Sequence, residues 1–165
     1  MNIAVIFGGK STEHDVSVLT ALFVTNALKG CAVYPVHIDR ENRWRTGAFS
    51  RISDLADMKE CALLPGGVLA KKRGNRCRPL ARIDCAVNCC HGGSGENGDL
   101  AGTLALFGVP VTSSEPFSSR VAMNKILTKR CLPEGVRTAE YAALKKGARE
   151  TSFAAAKFGL PLVVK

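Results

Sequence analysis

Glu13 and His91 each stand beside a glycine pair, and they are the side chains of this 165-residue chain best placed to do chemistry. Gly8-Gly9-Lys10-Ser11-Thr12-Glu13 follows an apolar run at 3–7, and His91-Gly92-Gly93-Ser94-Gly95-Glu96 follows a second run at 83–90. Glycine lets backbone approach a ligand closely, and a helix opening at such a loop presents free amides that favour a negative group. Ser11 or Thr12 can cap that helix. A carboxylate at Glu13 is then either a partner of the helix dipole or an anchor for something cationic. His91 can donate to a carboxylate or to developing charge, with Glu13 and Glu96 the nearest acids. A lone strand-end histidine would be read as a cap for a neighbouring helix. Paired with a Gly-Gly loop and a first-turn acid, it reads as part of a site. Glu96 is expected to hold its own loop through backbone hydrogen bonds.

Nucleotide binding at the first loop is not expected. Gly-Gly-Lys-Ser lacks the G-x-x-x-x-G-K-[ST] spacing, and no G-x-G-x-x-G follows the first strand. Two glycine loops at one sheet edge make instead a composite pocket beyond the carboxyl ends of the strands, where open α/β sheets bind ligands.

The elements that must position these loops alternate in type. A strand at 2–7 precedes a helix from about 13 to 28, with Val16, Leu19, Phe23 and Ala27 at helical spacing, and Gly30 closes it. A second strand spans Ala32–Ile38, residues 39–42 form a polar turn, Trp44 lies in a short extended piece, and 50–58 forms a short helix. Residues 61–80 read as a hairpin region punctuated by glycine and proline. The run 83–90 is nearly all apolar, as in a central parallel strand covered on both faces. A helix at 99–107 and a short strand at 109–112 follow. This order predicts a doubly wound parallel sheet in three layers. Beyond Ser113-Ser114, Pro116 opens a helix to about Cys131, Leu132-Pro133-Glu134-Gly135 breaks it, and a strand at 139–144, a helix at 151–158 and a strand at 160–165 are predicted. Ending at Lys165 inside an apolar strand, the chain reads as truncated.

Composition narrows the remaining classes. A hydrophobic share of 46% supports a real core, and no run approaches the roughly 18 apolar residues of a spanning helix. No export signal opens the chain, so a cytoplasmic protein without membrane contact is expected. The seven cysteines include no C-x-x-C pair and read as small core hydrophobes. A metal site from Cys85, Cys89, Cys90 and His91 is disfavoured, because strand neighbours point to opposite faces. The net charge of +9 raises nucleic acid as a partner. Its densest block, Lys71-Lys72-Arg73-Gly74-Asn75-Arg76-Cys77-Arg78, lacks interleaved aromatics for stacking and reads as a solvated hairpin tip.

The two loops, F-G-G-K-S-T-E-H-D-V-S and H-G-G-S-G-E-N-G-D-L-A-G, together resemble the signature of D-alanine–D-alanine ligases. Ala-Met-Asn-Lys at 122–125 and L-P-L-V-V-K at 160–165 resemble the start of that family's ATP-grasp domain. The resemblance runs in order along the chain. It implies a Rossmann-like pre-ATP-grasp domain at 1–114, followed at 115–165 by a linking helix and the first elements of a partial ATP-grasp α+β subdomain. It also implies ATP- and Mg2+-dependent joining of two D-alanines for peptidoglycan, through an acyl phosphate of the first. Glu13 would bind the ammonium of the first D-alanine and His91 would lie at the same substrate, giving Glu13 and His91 as catalytic residues. Gly8, Gly9, Glu13, Ser17 and His91 would form the substrate-binding set. Lys125 and Lys165 would contact ATP phosphates, and a homodimer is implied as possible.

Several positions depart from the family pattern. Asn97 stands where aspartate is common, Ala101 where glutamine is common, Asn124 replaces the aspartate before the lysine, and Ser113-Ser114 replaces Gly-Ser. They leave D-serine and D-lactate open as second substrates. The family's metal-binding acids, catalytic arginine and second D-alanine site fall outside these residues, so the metal ligands are expected elsewhere and this chain alone is expected to be inactive. The alternative is a non-catalytic module that binds a D-amino acid or a protein partner.

Overall fold

The computed structural model describes residues 1–144 and 157–163. The chain divides into two compact units, Met1–Met123 and Asn124–Lys165.

The first unit is built on β1 (Asn2–Gly8), whose side chains are buried on both faces. Ile3, Val5 and Phe7 enter one core cluster, Ala4 and Ile6 the other. Alternate side chains of a strand point to opposite faces, so a strand apolar throughout must be covered twice. The covers are α1 (His14–Ala27), which supplies Val18 and Ala21 to the first cluster, and α2 (Asp99–Leu106), which supplies Leu100 and Leu104 to the second. Three layers result.

β2 (Ala32–Ile38) pairs with β1 in parallel from Asn2↔Ala32 to Gly8↔Ile38, and β7 (Cys85–Asn88) pairs in parallel on the other side. The sheet continues antiparallel through β3 (Trp44–Thr46), β4 (Lys59–Leu64), β5 (Val68–Arg73) and β6 (Arg76–Arg82), in the order β6-β5-β4-β3-β2-β1-β7. The expected parallel core is therefore confined to β2-β1-β7, and the hairpin region lengthens it into a mixed sheet. The links from β4 to β5 (residues 65–67) and from β5 to β6 (residues 74–75) are short turns, with no room for the crossover that parallel pairing needs. β7 is not central. It ends the ladder, with a single parallel bridge from Ala86 to Val111 where a strand at 109–112 was expected.

The basic block forms the end of the β5–β6 hairpin, turning at Gly74-Asn75. Lys71 faces Arg78 and Arg73 faces Arg76 across the ladder, and among the described residues only Lys72 of this block finds an acid, Glu60 at 3.4 Å.

Two expectations fail on helices. The buried face of α1 is His14, Ser17, Val18 and Ala21, while Val16, Leu19 and Phe23 are exposed. The helix carries apolar residues on both sides, so helical spacing alone selects the wrong stripe. The predicted helix from Pro116 to about Cys131 is two, α3 (Pro116–Met123) and α4 (Lys125–Cys131). Asn124 between them takes extended backbone angles, and its side-chain oxygen accepts from the amides of Ile126 and Leu127, both at 3.1 Å. Asparagine competes with the helix for its own amides in this way. The 50–58 helix is a 3-10 turn at Ile52–Asp57.

Residues 139–144 form no strand, and neither do 160–163. A strand exists only where a second backbone pairs with it, and none does so among the described residues. Lys157 and Phe158 are helical, while most of the predicted 151–158 helix, like Lys165, lies outside the described residues.

Candidate functional site

The carboxyl ends of β2, β1 and β7 meet at one edge, and both glycine loops leave from it. They line a shared cleft of about 170 Å³, with Gly8, Gly9 and Ser11 on one side and Gly92, Ser94 and Gly95 on the other. The composite pocket expected from the sequence is present.

The first loop is held from below. Gly8 N–H donates to Ser17 Oγ at 2.6 Å, Gly9 N–H donates to the Ile38 carbonyl at 2.6 Å, and His14 Nδ1 meets the Gly9 carbonyl at 2.8 Å. Ser17 is wholly buried. Its hydroxyl positions the loop from beneath instead of reaching the cleft as a substrate ligand. Ser11 Oγ accepts from Glu13 N–H at 3.1 Å, a turn just ahead of α1 and not a cap on amides inside it.

Glu13 is exposed, and its carboxylate forms no ion pair among the described residues. It leans on the second loop. A Cβ built on Gly92 would fall 2.7 Å from Glu13 Oε2 and 2.6 Å from Ser11 Oγ, and Gly92 has a φ of +67°. Glycine is thus required at position 92 both for its backbone angle and for the approach of this carboxylate.

His91 is oriented by α1. Thr20 Oγ1 spends its proton on the Val16 carbonyl at 3.0 Å, so at 3.0 Å from His91 Nε2 it must accept. His91 therefore carries a proton on Nε2 and turns Nδ1 toward Glu96 Oε1, 3.8 Å away. Glu96 does not hold its loop as expected, because its carboxylate points at His91 instead of at backbone amides. Glu13 and His91 lie outside the lining of the cleft, on the side of the second loop facing α1.

The second loop is stapled by Asn88, which sequence reading passed over as part of an apolar run. Its amide donates to the Gly95 carbonyl at 2.8 Å and to Ser113 Oγ at 2.9 Å, and its carbonyl accepts from Cys90 N–H at 3.0 Å. Asn88 is one of two polar residues in that run, with Asp84, and that interruption was the available signal. Asn88→Ala is expected to cost about 2 kcal/mol by stranding the Cys90 amide and the Gly95 carbonyl, read from urea denaturation. At the far end of the loop, Asn97 and Arg120 bond the Asp99 carboxylate and hold its pKa below the usual carboxylate range.

Cys89 and Cys90 enter different core clusters, as strand alternation requires. Lys125 opens α4 in the second unit, and Lys165 lies outside the described residues.

Residues 2–114 match the family model described as "D-ala D-ala ligase N-terminus". Among curated relatives, "D-alanine--D-alanine ligase A" of Chromobacterium violaceum is 31% identical over 100% of this chain and 50% of its own length. "D-alanine--D-alanine ligase" of Wolinella succinogenes is 34% identical over 100% of this chain and 48% of its own. The chain thus spans about half the length of these relatives. In fold it is similar to the solved D-Alanine-D-Alanine Ligase from Helicobacter pylori, with a TM-score of 0.79 and 23% identity over 98% of this chain and 53% of that one. The matched 2–114 take in β1 to β7, α1, α2 and both glycine loops, and the chain belongs to the D-alanine–D-alanine ligase family.

Proposed function

We propose that this chain is the part of an ATP-dependent D-alanine–D-alanine ligase, or a D-Ala–D-X relative, that receives the first D-alanine for peptidoglycan precursor synthesis. The supporting observation is the Glu13 carboxylate: exposed, without a cationic partner among the described residues, and set between Ser11 and Gly92 where two loops meet. A carboxylate so placed, in a chain of net charge +9, is free to take an ammonium. His91, fixed by Thr20 on the same side of the second loop, is the second polar group assigned to this substrate, Gly8 and Gly9 line the adjoining cleft, and Ser17 positions the first loop.

The domain reading is a pre-ATP-grasp domain at 1–114 and the start of an ATP-grasp domain at 115–165, with Lys125 and Lys165 assigned to ATP phosphates. Among the described residues no three acidic, histidine or cysteine side chains gather into a metal site, and the ligands of the family's Mg2+ are assigned to residues elsewhere in the ligase. A cytoplasmic location is proposed from the family's place in peptidoglycan precursor synthesis; no described helix is long and apolar enough to cross a membrane. A homodimer is proposed as well, supported by the exposed Val16, Leu19 and Phe23 of α1, and a monomeric mass in sedimentation would exclude it.

The test is direct binding of D-alanine to the chain by calorimetry or NMR, without ATP. Glu13→Gln is expected to weaken it at least about tenfold, the scale of one charge-assisted hydrogen bond. Equal binding by the variant sinks the assignment. ADP release from ATP, Mg2+ and D-alanine by this chain alone would overturn the expectation that it is inactive by itself.

A further inference from the structure

His37 is buried, stacks on Phe7 with ring centroids 5.2 Å apart, and does not itself line the cleft. Its Nε2 lies 3.2 Å from His14 Nε2, and His14 Nδ1 lies 2.8 Å from the Gly9 carbonyl. A carbonyl can only accept, so His14 must carry its proton on Nδ1. In the neutral ring its Nε2 is then a bare lone pair, and His37 must donate to it from its own Nε2. That leaves His37 Nδ1 without a proton, and this atom is buried with no partner. Acceptors tolerate such isolation better than N–H groups do. One arrangement of protons therefore satisfies all three groups, and any other sets two lone pairs or two N–H groups face to face.

We propose that His37 is a positioning residue for the amino-acid site: by donating to His14 it fixes His14 in the Nδ1–H form, and that proton anchors the Gly9 carbonyl and with it the loop leading to Glu13. The ring edges pass so close over Gly8 that an added Cβ would lie 2.8 Å from His37 Cδ2 and 3.1 Å from His14 Cε1. The two imidazoles thus set the loop's height above β2 as well as its hydrogen bonding. In its consequence for ligand affinity this rests on the ammonium-site reading, whereas the tautomer assignment does not.

The full chain labelled with 15N-histidine decides it by long-range 1H–15N correlation at pH 7.5. The expected pattern is Nδ1–H for His14, the less common form of a free imidazole, and Nε2–H for His37. Nε2–H at His14 overturns the proposal whatever the chain binds. His37→Phe keeps the ring stack and removes the donor, while His37→Gln restores a donor. The Phe variant is expected to lose the pure His14 signature, shift the Gly9 carbonyl resonance and weaken D-alanine about fivefold, with Gln recovering all three. A Phe variant that melts earlier yet keeps the His14 signature and affinity shows a merely structural ring, and also overturns it. Absence of D-alanine binding by the unmodified chain would sink the ammonium reading and leave the tautomer result to judge His37.

Discussion

Gly8→Ala is expected to leave little folded protein, whereas Gly9→Ala, at nearly the same backbone angle, is expected to fold. The two residues have φ of +92° and +93°, so the strain of placing a side chain in that region is common to both, about 1–3 kcal/mol. What differs is space. A Cβ on Gly8 would stand 2.2 Å from the Ile38 carbonyl oxygen, with the His37 and His14 rings on its other sides, while a Cβ on Gly9 meets nothing within 4 Å. The Ile38 oxygen cannot retreat, because it already accepts from Gly9 N–H and belongs to the β2 residue registered against Gly8. Relief would have to separate β1 from β2 at the carboxyl end of their parallel pairing. The combined loss should exceed about 4 kcal/mol, comparable to the whole stability of many domains. Circular dichroism and urea midpoints of both variants check it, and a folded Gly8→Ala protein of near-native stability would refute the close approach.

Acid should remove about 3 kcal/mol of stability through His37 alone. Burial is the main cause holding its pKa down at about 4 from an ordinary 6.5; the neighbouring His14 and Arg45 push the same way and Asp39 opposes them. The folded state thus binds its proton later than the unfolded state as pH falls. Stability from this group is complete above about pH 6.5, declines through the interval down to about 4, and falls no further below it. At 1.36 kcal/mol per unit the interval amounts to about 3 kcal/mol. Urea denaturation at pH 7, 5.5 and 4 measures the slope, and subtracting the slope of His37→Phe removes the carboxylates common to both proteins. Parallel curves for the two would show that His37 is protonated inside the fold.

The parts legible in the sequence were those set by local rules. Strand alternation and glycine punctuation located β1, β2 and both loops, and they correctly placed the loops on one cleft. Spacing failed on α1, where apolar residues occupy both faces and only tertiary packing selects His14, Ser17, Val18 and Ala21 for the interior. It failed again at Asn124, whose side chain outcompeted the continuing helix. Ser17 was expected at the substrate, but its role, like those of Asn88 and His37, is a hydrogen bond to backbone or to a ring brought near by the fold, which spacing along the chain does not show. His37 sits 23 residues from His14, and Asn88 is 25 from Ser113. Glu13 and His91 could be singled out because glycine and charge stand out against an apolar strand, and their role at a substrate is the proposal made above.

Cys89 and Cys90 share a peptide bond but inhabit separate interiors, one packed toward α1 and the other toward α2. Burial pushes their thiols up to about 11 and about 12 respectively, so neither reacts while its own cover is closed. Each sulfur is in effect a clock for a different layer. Modification at Cys89 times the lifting of the helix that carries Thr20 and Ser17, and modification at Cys90 times the lifting of the helix behind the second loop. Two neighbouring atoms can thereby tell whether the halves of the cleft breathe together or apart.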